Sequence, residues 1–378
     1  MSTANLHEVA RTGRWALVAW LLGAACGLGA LVHFYGNRHT DFEQVTLAKG
    51  TTAVYATVGE DRIHCADDRD MVLCLNGAAR RGARGVVVWL GNSQLHAINQ
   101  FHAGERSAAA ELFTQLQARG LDLLVFSQPN ANLQEHAVVA AALFDRIQVA
   151  ALLLPVVFDD TREDGVRESL RETLHAPTVV RRLHPFKAGQ AMLAANKSTS
   201  AGSETGAIRQ TLQERMESTS LAWLDAHSTA WAARSEVRGD QLLALYGIRN
   251  TVFGIRPDTA RPVIASRYDA NLAALAMTLE MASQKHVPVF LYVAPIRQDA
   301  KLPYIPAQYE KFKRDVQALA QAKGAAYLNW ESLVPVDDWG SKQGTTISTD
   351  AEIDFMHFRA AGHRILANAA FEALKAVP

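Results

Sequence analysis

The sequence predicts an α/β fold: a three-layer sandwich on a mostly parallel five-stranded sheet, with one N-terminal transmembrane helix and a helical insertion. Three observations carry this reading. Short apolar runs recur along the chain, helical segments separate them, and one long uncharged run lies near the N-terminus. Strands buried on both faces read as continuous apolar runs, without alternation. Strands that alternate with helices imply right-handed crossovers and helices on both faces of the sheet.

Residues 15–35 read WALVAWLLGAACGLGALVHFY and carry no formal charge. A helix needs about 20 apolar residues to cross a bilayer core. Arg11 and Arg14 precede the run and Arg38 follows it. The slight excess places residues 1–14 in the cytoplasm and the bulk of the chain outside, with the protein held in the inner membrane by a single pass. Trp15, Trp20 and Tyr35 suit the interface. Three other readings stand beside the anchor: a cleaved signal peptide, a lipoprotein cleavage site around residues 22–26, and a helix of a soluble core.

Residues 36–80 mix polar and short apolar stretches and read as a stalk. Within them Cys65 and Cys74 flank CADDRDMVLC. Outside the cytoplasm they can form a disulfide; the other reading is two buried thiols. Residues 81–378 then form one α/β domain. Its strands are expected at 86–90 (VVVWL), 121–126 (LDLLVF), 149–158 (VAALLLPVVF), 287–293 (VPVFLYV) and 325–328 (AAYL). Helices are expected at 108–118, 133–144, 271–285 and 310–323. Residues 160–265 lack a convincing buried strand and read as a helical insertion, with a Ser/Thr/Gly tract at 197–206.

Of the 378 residues, 49% are hydrophobic and 20% charged, enough for a large core. Lys+Arg and Asp+Glu both number 38, which argues against nucleic-acid binding through a bulk basic field. The three cysteines include no CxxC, and there is no HExxH, so neither a metal nor a cofactor is expected.

Two short blocks carry the chemistry. Gly91-Asn92-Ser93-Gln94 follows the first buried strand, and open α/β sheets place ligand sites at the carboxyl ends of their strands. A serine heading the next helix exposes its hydroxyl beside unpaired backbone N–H groups, which suit an oxyanion. Alone, such a serine also reads as a helix N-cap. Asp354-Phe355-Met356-His357 precedes a final helix with Phe358, Gly362, Ile365, Leu366 and Ala369 on one face. An Asp three residues before a His can accept from Nδ1–H and leave Nε2 free as a base. Both blocks are expected at carboxyl ends of strands in one parallel sheet.

Together the blocks resemble the SGNH, or GDSL-type, hydrolase family, over about residues 86–372; the competing fold is a flavodoxin-like domain with a coincidental pair. The resemblance implies Ser93 as nucleophile, His357 as general base and acid, and Asp354 as orienting carboxylate. Two further family blocks fit poorly. The turn where the family supplies a glycine reads FSQPNAN (126–132), so Ser127 or Asn130 is expected to stand in. Where the family supplies an asparagine the chain has Asp159, whose charge would repel an oxyanion. Arg297, after the fourth strand, is a candidate for an anionic substrate group or a partner. His96 reads as a surface histidine within reach of the site; His136 and His363 read as solvent-facing.

Ser-His-Asp chemistry makes an acyl-enzyme, and the second nucleophile decides its fate. An anchored, extracytoplasmic domain of this kind is similar in architecture to D-alanyl transfer and alginate acetylation proteins. That implies O-acyl transfer to a cell-envelope or exported polysaccharide. The partners would be an acyl donor, a glycan or lipid-linked acceptor and a membrane-bound O-acyltransferase. An esterase and a non-catalytic assembly protein remain the alternatives.

Overall fold

The computed structural model describes residues 50–66, 68–82, 85–200, 259–343 and 351–377, together with Gly23. The anchor at 15–35 (Gly23 excepted) and the 201–258 part of the expected insertion lie outside the described residues. No described helix is long and apolar enough to cross a membrane.

Among the described residues four short strands come first: β1 (Thr51–Ala53), β2 (Thr57–Val58), β3 (Asp61–Arg62) and β4 (His64–Cys65). Helix α1 (Asp68–Arg81), β5 (Val86–Gly91), β6 (Ala97–Asn99), α2 (Ala108–Gln117), β7 (Asp122–Ser127), α3 (Leu133–Leu143) and β8 (Val149–Val156) follow. Three helices then run in succession, α4 (Arg171–His175), α5 (Pro177–Leu183) and α6 (Lys187–Ser200). The chain continues with α7 (Ala265–Gln284), β9 (Val289–Val293), α8 (Pro306–Ala322) and β10 (Ala326–Asn329). It ends with β11 (Trp339–Gln343), β12 (Ala351–Phe358) and α9 (Ala360–Leu374).

Among the described residues the central sheet has six strands in the order β10-β9-β8-β5-β7-β4, all parallel. Five strands were expected; the sixth is β4, which pairs beside β7 at the edge. A two-residue strand has no hydrophobic period to read, and what holds it is a disulfide. Cys65 in β4 bonds to Cys74 in α1, with Cα atoms 6.3 Å apart and both side chains fully buried. The segment expected as a stalk therefore belongs to the domain from residue 50 onward.

The β-branched and leucine runs bury both faces of the sheet. Val88, Leu90, Leu124, Leu152, Leu154 and Leu291 pack against α1, α3, α7 and α8. Val87, Trp89, Leu123, Val125, Leu153 and Tyr292 pack under α2 and α9. Trp89 Nε1 donates to the Tyr292 hydroxyl at 2.9 Å, so the largest polar tips in this layer satisfy each other. Helix α3 is buried on every side, which corrects the reading of His136 as solvent-facing. A helix apolar all round sits inside a structure rather than on it. Helices α7 and α8 each begin several residues earlier than their apolar pattern suggests, α8 with a proline in its first turn.

The chain steps from β5 to β7 on one side and then crosses to β8 on the other. This divergence opens a crevice at the carboxyl end of β5, where residues 92–95 lie.

Candidate active site

Gly91 ends β5, and a single turn of 3-10 helix (Ser93–Leu95) follows. A Cβ at position 91 would lie 2.4 Å from Leu95 Cδ1, so only glycine lets the turn fold back this tightly. Asn92 caps the turn, its Oδ1 accepting from the Gln94 amide at 3.0 Å. That bond fixes the amide's orientation and aims Asn92 Nδ2 at Asp160 Oδ2, 2.8 Å away. The Ser93 N–H, at the head of the turn, has no intrahelical partner.

Asp354 and His357 do not sit on the central sheet, a correction to the expected placement. Among the described residues strand β12 pairs only with β11, antiparallel, and the ladder jumps from Ser341↔Ile353 to Trp339↔Phe358. Residues 354–357 thus bulge out opposite the single residue Gly340, and a bulge re-aims side chains that a regular strand would turn to alternate faces. Within the bulge the Met356 and His357 amides both donate to Asp354 Oδ1 at 3.0 Å.

The result is a continuous chain. Ser93 Oγ lies 2.9 Å from His357 Nε2, and His357 Nδ1 lies 3.0 Å from Asp354 Oδ2. Burial alone would raise the Asp354 carboxyl, but the adjacent His357 and the hydrogen bonds it receives outweigh this and hold it well below the usual carboxylate range. An ionised Asp354 only accepts, so Nδ1 carries the proton and Nε2 presents its lone pair to the Ser93 hydroxyl. Gln94 locks the two blocks together: its Nε2 donates at 2.9 Å to both Pro295 O and Met356 O.

The four secondary candidates are not brought onto this pair. Ser127 is buried, its hydroxyl held by His96 Nδ1 at 2.8 Å and His64 Nε2 at 2.9 Å. Asn130 is exposed in a left-handed turn (φ 54°). Asp159 turns aside to Arg261 at 2.7 Å and the Tyr304 hydroxyl at 3.0 Å. Arg297 is bound to Asp299, and its Nη1 donates to Gly340 O at 2.7 Å, so it clamps β11 opposite the bulge. No hydrogen bond joins any of the four to Ser93 or His357 among the described residues.

Two residues that pattern reading passed over matter more. Asp160, the neighbour of Asp159, is buried and joined to the Ser93 turn through Asn92. Burial pushes its carboxyl well above the ordinary value, and nearby Asp159, Glu163 and Glu135 add to this against the Asn92 hydrogen bond. Asn99 is fully buried, and its Nδ2 donates to Asp354 Oδ2 at 3.1 Å. The chemistry of FDD had pointed to the first aspartate; burial selects the second.

His96 and His363 are also fully buried, correcting the readings of surface and solvent-facing histidines. Burial lowers each to about 3, so both are neutral. His363 Nδ1 accepts from the Ala108 amide and its Nε2–H donates to Ala97 O, both at 3.2 Å, fastening α9 to β6. Among the described residues no cluster of side chains suits a metal ion. The groove bounded by α5 and α7, lined by Arg181, Phe186, Lys187 and Met277, shares no residue with the site.

No family model and no curated protein matches the chain. It is similar to solved structures. One, from Bacteroides fragilis NCTC 9343, is described as an acylhydrolase (10% identity, TM-score 0.34, covering 76% of this chain and 86% of that one). Another, from Parabacteroides merdae ATCC 43184, is described as a GDSL-like lipase (10% identity, TM-score 0.37, covering 77% and 95%). A GDSL-like lipase from Bacteroides thetaiotaomicron VPI-5482 gives 10% identity, a TM-score of 0.34 and coverage of 79% and 96%.

Proposed function

We propose that the protein is an SGNH-type serine enzyme that forms an acyl-enzyme on Ser93. The observation that carries this is the unbroken chain Ser93–His357–Asp354, with its tautomer set by an ionised carboxylate. Ser93 Oγ attacks an ester carbonyl as its proton passes to His357 Nε2. The ester C–O bond then breaks, and His357 returns the proton to the departing alkoxide. In the second half the hydroxyl of an acceptor repeats the sequence and releases Ser93. Asp354 stays ionised and stabilises the imidazolium. The Ser93 N–H, at the head of the 3-10 turn, is available to donate to the developing oxyanion.

The acceptor defines the finer reading: O-acyl transfer to a cell-envelope or exported polysaccharide, by a domain held outside the cytoplasm on a single N-terminal span. The uncharged run at 15–35 preceded by Arg11 and Arg14, and a disulfide suited to an oxidising compartment, support it. A membrane-bound O-acyltransferase is the partner this reading implies. Simple hydrolysis is the same chemistry with water as acceptor.

Labelling with a fluorophosphonate followed by peptide mapping tests the nucleophile: the adduct is expected on Ser93, and a protein that takes no label overturns the enzyme reading. Ester turnover with and without a glycan acceptor then separates transfer from hydrolysis. A cytoplasm-only reporter fused after Pro378 should be inactive; activity there overturns the localisation.

A further inference from the structure

We propose that Asn99 is a positioning residue that sets the charge and orientation of Asp354, an inference that rests on reading Ser93, His357 and Asp354 as a triad. Asn99 closes β6, whose backbone is fixed on one side by β1 (Thr51↔Asn99) and at Ala97 O by His363. From this platform Nδ2 donates to Asp354 Oδ2, the same oxygen that accepts from His357 Nδ1–H. Two backbone amides occupy Oδ1. Each carboxylate oxygen therefore has two donors, and the group can neither rotate nor approach the imidazole more closely.

Gly340 is an independent sign of the same construction. A Cβ there would fall 1.9 Å from Asn99 Oδ1, so the residue facing the bulge must lack a side chain for Asn99 to reach the carboxylate. Among the described residues Asn99 Oδ1 is buried without a partner against that glycine, a cost the site bears to keep Nδ2 on Asp354. The charged and titratable groups around the carboxylate are His357 on the same strand, Lys342 on β11 and Arg297 beyond β9. Of the buried histidines nearby, His96 and His363 stay neutral.

The test uses Asn99→Ala, Asn99→Asp and Gly340→Ala in the full chain, each checked for a native thermal transition. Asn99→Ala should lower kcat about 10- to 100-fold, the equivalent of one buried hydrogen bond to a charge, with KM little changed. Gly340→Ala should do the same without altering any of the three triad side chains. Asn99→Asp places a second carboxyl against Asp354, and the like charge raises the pKa of one of the two. At low pH the protonated Asp restores the donor, so activity relative to wild type should fall as the pH rises. An unchanged kcat in folded Asn99→Ala, or a flat Asn99→Asp ratio across pH, overturns the proposal. The downfield NMR resonance of the His357 Nδ1 proton separates this from failure of the triad itself. In Asn99→Ala it should move further downfield, whether or not the protein turns over ester; an unmoved resonance also counts against Asn99.

Discussion

Ser93 and His357 are 264 positions apart and meet at 2.9 Å, and in the proposed mechanism each depends on the other for its reactivity. Ser93→Ala and His357→Ala should each cut ester turnover by at least ~10³-fold while leaving folding intact, and the double variant should be little worse than either. Asp354→Asn should cost less, because nucleophile and base both remain. Kinetics on the four purified variants check this. Asp160 gives a second prediction. Its folded pKa is raised, so its contribution is fully present below the unfolded carboxylate value and is lost as pH rises toward the folded one. Asp160→Asn keeps an acceptor for Asn92 and needs no proton. Denaturant titrations should show the variant at least as stable as wild type at pH 8, with that advantage gone at pH 4 and below. A variant that is less stable at pH 8 would show that Asp160 is instead ionised in the folded protein.

At the scale of elements, the site is an assembly of three pieces that the central sheet does not itself contain. The 3-10 turn after β5, the bulge of β12 and the end of β6 are tied to one another by Gln94 and Asn99, while Arg297 holds Gly340 of β11 opposite the bulge. Gln94→Ala removes the bond from the Ser93 turn to Met356 O in the bulge and the bond to Pro295 O after β9. Its expected effect is a lower rate of fluorophosphonate labelling with little loss of stability from packing, since the side chain acts through hydrogen bonds. The disulfide plays the corresponding role at the sheet edge. Cys65 and Cys74 close a short loop, worth about 2.5–3 kcal/mol on loop entropy. Alkylation of the denatured, unreduced protein should mark only Cys26, and the Cys65→Ser/Cys74→Ser protein should unfold at lower denaturant. Three labelled thiols would contradict the bridge.

For the whole molecule, the buried histidines set a limit on the acid side. His96, His136 and His363 are each lowered to about 3 by burial. Folding therefore excludes protons that the unfolded chain binds below about 6.5. The stability these groups contribute is complete above that value and drains away as pH falls toward 3. Stability measured from pH 7 to 4 should fall steadily, and His363→Gln, which keeps a donor for Ala97 O, should flatten the slope. Protonation of His363 at Nδ1 removes the acceptor of the Ala108 amide and so breaks its contact with the start of α2.

What the sequence determined by itself is the parallel sheet and the two reactive blocks. Runs such as 86–90 and 149–156 are apolar at every position, which only a strand covered on both faces requires. Gly91-Asn92-Ser93 and Asp354-x-x-His357 could be found because their chemistry lies within three or four residues. The tertiary structure decided the rest. Strand β4 exists because a disulfide and β7 hold two residues in place, and so short an element carries no period. The bulge that turns Asp354 and His357 to the same side comes from pairing with β11 opposite Gly340. Asn99 meets Asp354 across 255 positions, and Asp160 displaces Asp159 because burial, not residue type, distinguishes them. Local pattern records which face of an element is apolar; it does not record which distant polar group will be waiting where that face closes.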